Sequence, residues 1–241
     1  MPAGIPSGHR HGVLVFVDEA HSVGMYGPGG AGMAAELGCA ADVDLLMGTF
    51  AKGYGTAGGY VTGTASIIDA VRSFVPAFMF TLALPPALAA AALTSVRHLR
   101  ESGMERIVLG HRTDMLKTLL AEAGIPLVSA ESHIVPVLVG DPHACRELAD
   151  RLLDKHGCYA QPINFPSVAC GTERLRINPS PVHSPKAVRH FAAAFSAALG
   201  EVDDEIAVDQ ENQGLSLIVA RPPGPLLAYV VNPPLDFYIF R

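Results

Sequence analysis

Lys52 is the residue whose setting points most directly to chemistry. It stands in Gly48-Thr49-Phe50-Ala51-Lys52-Gly53-Tyr54-Gly55, just after an apolar run, Val43 to Met47, broken only by Asp44. Such a run, stopping at a glycine and a hydroxyl, reads as a strand that opens into an irregular loop. Loops at strand ends carry reactive groups more often than strand interiors do. A lysine walled there by apolar neighbours is expected to be partly desolvated. Desolvation disfavours the ammonium, lowers its pKa and leaves an amine able to form a Schiff base with a carbonyl.

A second set lies upstream. Val13 to Val17 is continuously apolar and ends in Asp18-Glu19-Ala20-His21. An unbroken hydrophobic strand suits a parallel sheet covered on both faces. The carboxyl ends of parallel strands face the ligand crevice, so Asp18, His21, Thr49 and Lys52 are expected on one rim. Together they match what pyridoxal phosphate needs. The amine takes its aldehyde, the acid keeps its pyridine nitrogen protonated, a donor meets its phenolic oxygen and hydroxyls hold its phosphate. Each residue also has an ordinary structural reading: a strand-end cap for Asp18, a loop histidine for His21, turn chemistry for the threonines and a solvated surface lysine for Lys52.

The run Asp18-Glu19-Ala20-His21-Ser22-Val23-Gly24, then Tyr26-Gly27-Pro28, then Gly48-Thr49-Phe50-Ala51-Lys52-Gly53, resembles the α-oxoamine synthases. These are fold-type I pyridoxal phosphate enzymes that join an amino acid to an acyl-CoA and release CO2. The resemblance extends from about Val13 to about Ala198. Gln161-Pro162-Ile163-Asn164-Phe165-Pro166-Ser167-Val168, followed by Gly171-Thr172-Glu173-Arg174-Leu175-Arg176-Ile177, is most similar to the 5-aminolevulinate synthase branch. It is less similar to the branches that make biotin precursors, aminoketobutyrate or sphingoid bases.

The resemblance implies condensation of glycine with succinyl-CoA to 5-aminolevulinate, CoA and CO2, the supply of a heme and tetrapyrrole precursor. It implies a homodimer with its active site at the subunit interface. Lys52 would be the cofactor-binding amine and the base for the glycine Cα proton. Asp18 would pair with the pyridinium, and His21 would donate to the phenolic oxygen. Thr49 and Thr81 would hold phosphate, Thr81 that of the neighbouring subunit. Leu82 and Ala83 stand where the family usually has further hydroxyls, which weakens that anchor. Arg176 would clamp the amino-acid carboxylate through its planar fork, its ordinary reading being a surface salt bridge. Ser167 would touch the acyl-CoA carboxylate. The family's sheet has a first half that should precede Val13 and carry a ring-stacking side chain and a phosphate loop, so impaired activity and an exposed sheet edge are expected. Another α-oxoamine synthase, of the 8-amino-7-oxononanoate synthase or 2-amino-3-ketobutyrate CoA ligase type, and a non-catalytic fragment that pairs with an intact subunit stay open as alternatives.

Composition bounds the answer from outside. Hydrophobic residues make up 49% of the 241, enough for a buried core and against general disorder. With 17 basic against 23 acidic residues and no basic run, nothing favours a nucleic-acid partner. Asp-Glu-Ala-His also ends a strand in helicases, but the Gly-x-x-x-x-Gly-Lys loop they require is not in this sequence. Four cysteines without Cys-x-x-Cys spacing read as reduced, buried thiols, and ten scattered histidines predict no metal site. The longest apolar stretch, Val75 to Val96, is interrupted by Pro76, Pro85 and Pro86, so no membrane span is expected. A soluble cytoplasmic protein follows, or a mitochondrial-matrix one if the source is eukaryotic.

The elements that must position these residues follow from pattern. The fold class is α/β, a partial fold-type I large domain over 1–100 followed by an α+β small domain over 101–202. Strands are expected at Leu14 to Val17, Asp42 to Phe50, Gly58 to Gly63, Ile134 to Val139 and Arg174 to Ile177, with an extended piece at Cys158 to Pro162. The Gly58 strand is expected to hairpin back antiparallel. Helices are expected at Ala34 to Leu37, Ser66 to Phe74, Ala87 to about Ala123 with a break near Gly103, Pro142 to His156, and Pro185 to Leu199 capped by Ser184. Phe78 to Thr81 reads as extended. Residues 203–241 have no clear period and read as a divergent, mostly irregular tail.

Overall fold

The computed structural model describes residues 11–128, 131–213 and 236–240, those beyond 202 by their backbone. Met1 to Gly12, a leader rich in Gly, Pro and His by its sequence, lies outside the described residues except at His11 and Gly12. The chain divides into two units, Met1–Arg106 with Ala228–Arg241, and Ile107–Leu227. The divide therefore falls after Arg106, where the sequence pattern placed it after 100.

The first unit is a four-stranded sheet in the order β3 (Gly59–Gly63), β2 (Leu45–Thr49), β1 (Leu14–Asp18), β7 (Asp236–Phe240). β1 (Leu14–Asp18) runs parallel to β2 (Leu45–Thr49), and β2 folds back antiparallel onto β3 (Gly59–Gly63), as expected. Val15 and Val17 alternate inward and are buried, while Leu14 on the other phase is exposed. Their buried face meets α1 (Met33–Glu36), packing against Ala34, Cys39 and the flanking Met33, Val43 and Leu46. The odd acid in the apolar run, Asp44, has a local purpose. Its carboxylate accepts the Val15 N–H at 2.8 Å, and its own N–H donates to the Val15 carbonyl at 3.1 Å, fixing the start of the parallel pair.

Two expectations change here. β7 (Asp236–Phe240) lies antiparallel along β1, so that edge is paired rather than open, and this part of the tail is a strand. Its run Asp-Phe-Tyr-Ile-Phe is rich in strand-forming aromatics, and a neighbour's open edge supplies the ladder partner such a run needs. Pro76–Met79 is one turn of helix, α3, following α2 (Ala65–Phe74), where an extended segment was expected from Phe78. A proline at the first helical position favours that turn, because the N–H it lacks would be unpaired there anyway. The predicted long helical region is two helices, α4 (Pro86–Glu101) and α5 (Met104–Glu122), parted by the Ser102-Gly103 break.

The second unit is a three-stranded antiparallel sheet, order β4-β6-β5, from β4 (Val135–Leu138), β5 (Gln161–Ile163) and β6 (Arg174–Ile177). Its core gathers Leu116 and Leu120 of α5, Leu148 and Leu152 of α6 (Pro142–His156), Phe195 of α7 (Pro185–Gln213), and Val135, Val137, Leu175 and Ile177 of the sheet. The helix ends are written in the sequence. Asp141 accepts from the His143 and Ala144 N–H groups at 2.8 Å ahead of Pro142, and Gly157 closes α6 in the left-handed region at φ 63°. Ser184 accepts the Ala187 N–H at 3.1 Å and caps α7. That helix runs on to Gln213, past the 202 boundary expected for this domain, so 203–213 is helical and 214–235 lie outside the described residues. Three cysteines, Cys39, Cys145 and Cys158, are buried as expected. Cys170 is exposed, because it sits in the turn after β5 rather than on a packed face.

Candidate active site

The site is built on the parallel register of β1 and β2. Phe16, Val17 and Asp18 lie opposite Leu45, Leu46 and Met47, and the Glu19 N–H continues the ladder to the Met47 carbonyl at 2.8 Å. Both strands therefore end at the same edge of the sheet. Paired residues in register share a face, and side chains alternate with period two. Asp18 and Met47 share one face, and Thr49, two residues on, shares it as well. Glu19 follows Val15 and Val17 to the opposite, buried face.

Asp18 is half-buried, and its Oδ1 accepts the Ala20 N–H at 2.8 Å. One oxygen thus serves the strand-end turn. His21 is half-buried in the next turn, which is held by the Ser22 and Val23 N–H groups donating to the Glu19 carbonyl at 2.9 and 3.0 Å. The Thr49 hydroxyl donates to the Gly58 carbonyl at 3.2 Å and accepts the Ala51 N–H at 3.1 Å. It closes the loop that holds Lys52, so gripping a phosphate would require its proton to leave the Gly58 carbonyl.

Lys52 is exposed, which corrects the expectation of a desolvated amine. The reason is local. The aromatic side chains around the loop pack on one another. The Phe50 ring lies 5.9 Å from that of Tyr54 and 5.3 Å from that of Tyr60, centroid to centroid. Tyr60 also lies across Gly48 on the neighbouring strand, where an added Cβ would meet its ring at 2.5 Å. Burial pushes the Tyr54 phenol up, and burial with the nearby Tyr54 and Glu19 pushes that of Tyr60 up to about 12. Both phenols are therefore neutral supports rather than bases.

The lysine loop and the histidine loop touch. A Cβ on Gly53, the residue after Lys52, would lie 2.7 Å from the Val23 carbonyl and 3.6 Å from the Gly24 Cα. Tyr54 crowds Gly24 from the same side, and its carbonyl accepts the Ser95 hydroxyl of α4 at 2.7 Å. Gly53→Ala is accordingly expected to wedge the loops apart and to lower stability by about 1–3 kcal/mol, as overpacking does elsewhere. Thermal unfolding checks it, and an unchanged midpoint would mean that the contact yields freely.

Thr81 stands in an exposed bend between α3 and α4, within a run of bare apolar side chains in which Phe80 is 84% and Leu82 94% exposed. Arg176 and Ser167 belong to the second unit. On β6, Leu175 and Ile177 point into the core, while Arg174 and Arg176 share the other face, opposite Ile163 and Gln161 of β5. The Arg174 Nε donates to the Thr172 carbonyl at 2.9 Å. The Arg176 Nε is buried and has no hydrogen-bond partner among the described residues. Ser167 is exposed in the turn after β5, with its N–H on the Asn164 carbonyl at 3.0 Å. Among the described residues no group of His, Cys, Asp and Glu is placed to hold a metal ion, and no helix is long and apolar enough to cross a membrane.

Sequence reasoning passed over Glu19, Gly53 and Tyr60 as parts of the site's frame. Their signals were a second acid one residue out of phase with Asp18, a glycine beside the lysine, and an aromatic facing Gly48.

Comparison with known proteins places this geometry in a wider group. The family model described as aminotransferase class I and II matches residues 8–195. The 5-aminolevulinate synthase of Rhizobium meliloti is 49% identical over 186 residues, 77% of this chain and 46% of that protein. The mitochondrial 5-aminolevulinate synthase of Schizosaccharomyces pombe is 44% identical over 80% of this chain and 34% of its own length. A serine palmitoyltransferase solved with PLP superposes with a TM-score of 0.77 at 33% identity, over 83% of this chain and 50% of that one. The chain spans about half the length of most of the curated relatives it matches.

Proposed function

The chain belongs to the aminotransferase class I and II family, and from that premise we propose that it carries the lysine-bearing part of a 5-aminolevulinate synthase-type acyltransferase. Its fold is the α/β fold of fold-type I pyridoxal phosphate transferases, covering part of the large domain. The reaction proposed is condensation of glycine with succinyl-CoA to 5-aminolevulinate, CoA and CO2. The observation that carries the reading is the parallel β1–β2 register, which ends Asp18 and the Thr49–Lys52 loop on one rim. The 49% identity to a 5-aminolevulinate synthase favours this branch over the acyl-CoA chemistry of serine palmitoyltransferase, matched at 33%.

Pyridoxal phosphate, when bound, supplies an aldehyde for the amine and a ring that accepts electrons. The rest belongs to the chain's own residues. Lys52, exposed at the rim, would hold the cofactor through its Nζ and, with that amine free, would take the amino acid's Cα proton. Asp18 would hold the ring nitrogen and keep its proton in place. His21 would donate to the phenolic oxygen. Thr49 would hold a phosphate oxygen, and Thr81 would be contributed to the second subunit's site. Arg176 offers its unspent Nε–H and its fork to the amino-acid carboxylate, and Ser167 offers its hydroxyl to the acyl-CoA carboxylate. The bare apolar run around Thr81 suits burial against a second copy of the chain, since apolar patches of this kind mark association surfaces.

The test is a titration of the purified chain with pyridoxal phosphate, followed by absorbance, then borohydride fixation and peptide mapping. The expected result is a new absorbance band and a single reduced adduct on Lys52. An adduct spread over several lysines would overturn the reading.

A further inference from the structure

Glu19 has no part in the reading above, yet among the described residues it is one of four buried polar or charged side chains, with no exposed surface. Its Oε2 accepts the Ser22 hydroxyl and the Met33 N–H, the latter at 2.7 Å, and its Oε1 accepts the Ala34 N–H at 2.7 Å. Met33 and Ala34 open α1, whose N-cap is Gly32 and has no side chain to offer. A helix start leaves backbone N–H groups unmatched, and here the match is brought in from a distant segment. Gly32 is bare for the same reason. It sits at φ 106°, and a Cβ there would run into the Glu19 carboxylate.

The backbone of Glu19 is equally engaged. Its N–H donates to Met47 of β2, and its carbonyl accepts from Ser22 and Val23. Those two residues flank and follow His21, and the Val23 carbonyl is the surface on which Gly53 of the lysine loop rests. One residue thus joins β2, the histidine turn and α1, from the face of the sheet opposite Asp18. We propose that Glu19 is a positioning residue for the cofactor site: it holds the turn that carries His21 and, through Val23, sets the seat of the Lys52 loop. This rests on the function proposed above.

Glu19→Gln keeps the volume but turns one acceptor oxygen into a donor that faces a donor. Glu19→Ala strips three donors at once and tests the fold more than the site. The experiment follows amide hydrogen exchange, thermal unfolding and pyridoxal phosphate titration in the Glu19→Gln chain. The expected result is exchange about tenfold faster at Met33, Ala34 and across Ala20–Tyr26, as befits loss of a buried hydrogen bond. Cofactor half-saturation is expected to rise by about as much, with a displaced pH profile of the bound cofactor's absorbance. Faster exchange confined to Met33 and Ala34, with Ala20–Tyr26 and the absorbance profile unchanged, would make Glu19 a helix cap alone and overturn the inference. A wild-type chain that takes up no cofactor would instead sink the functional reading, whatever the exchange pattern of Glu19→Gln.

Discussion

Lys52→Ala is expected to abolish the borohydride-fixed adduct entirely and to cut amino-acid turnover by about 10²–10⁴-fold, the usual contribution of a positioned base. On the proposed function two roles would be lost with one side chain: the amine that holds the aldehyde and the base that takes the Cα proton. The effect should be local. Lys52 is exposed in a loop whose shape depends on Thr49, Gly53 and Tyr54 rather than on the lysine. Thermal unfolding of Lys52→Ala is therefore expected to match that of the parent chain, within the about 0.5 kcal/mol typical of surface substitutions. Lys52→Arg should fare no better in the adduct assay, because a guanidinium does not deprotonate in proteins. A Lys52→Ala chain that kept its adduct and turnover would remove the lysine from the site.

Arg176→Lys is expected to raise the glycine concentration needed for half of the amino-acid-induced absorbance change by about ten- to a hundredfold. The estimate follows from the worth of a hydrogen bond to a charged group, about 1.5–3 kcal/mol. The physical ground is the buried Nε–H of Arg176, a donor with no partner among the described residues. Leaving such a donor unmet is costly, so a planar carboxylate that meets it gains more than it would at a solvated arginine. Lysine keeps the charge but neither the fork nor that second donor. Arg174, on the same face of β6, is already committed to the Thr172 carbonyl, so Arg174→Lys serves as the control with little expected change. Equal half-saturation in Arg176→Lys and parent would assign the carboxylate clamp elsewhere.

The two units were legible to different degrees. In the second unit the punctuation is local. Asp141-Pro142, Gly157 and Ser184-Pro185 start and stop helices through contacts within a few residues, and Pro142–His156 and Arg174–Ile177 have the spans that their patterns predict. In the first unit the hairpin and the lysine loop could be read from Gly48, Gly58 and Gly59. The partner of β1's far edge could not, because a five-residue strand more than two hundred residues away leaves no mark on the pattern of β1 itself.

The chemistry of the site divides the same way. The order and types of Asp18, His21, Thr49 and Lys52 on two successive apolar strands determined which residues end at one rim, since parallel strands with period-two alternation leave little freedom in where their ends and faces go. Tertiary structure decided the exposure of Lys52, the use of the Thr49 hydroxyl to close its own loop, and the place of Glu19 beneath the histidine turn. Solvation and hydrogen-bond partnership depend on which distant segments come to rest nearby. Met33, Ala34 and Gly58 are 14, 15 and 9 residues from the groups they meet, and separations of that kind are settled only when the chain folds.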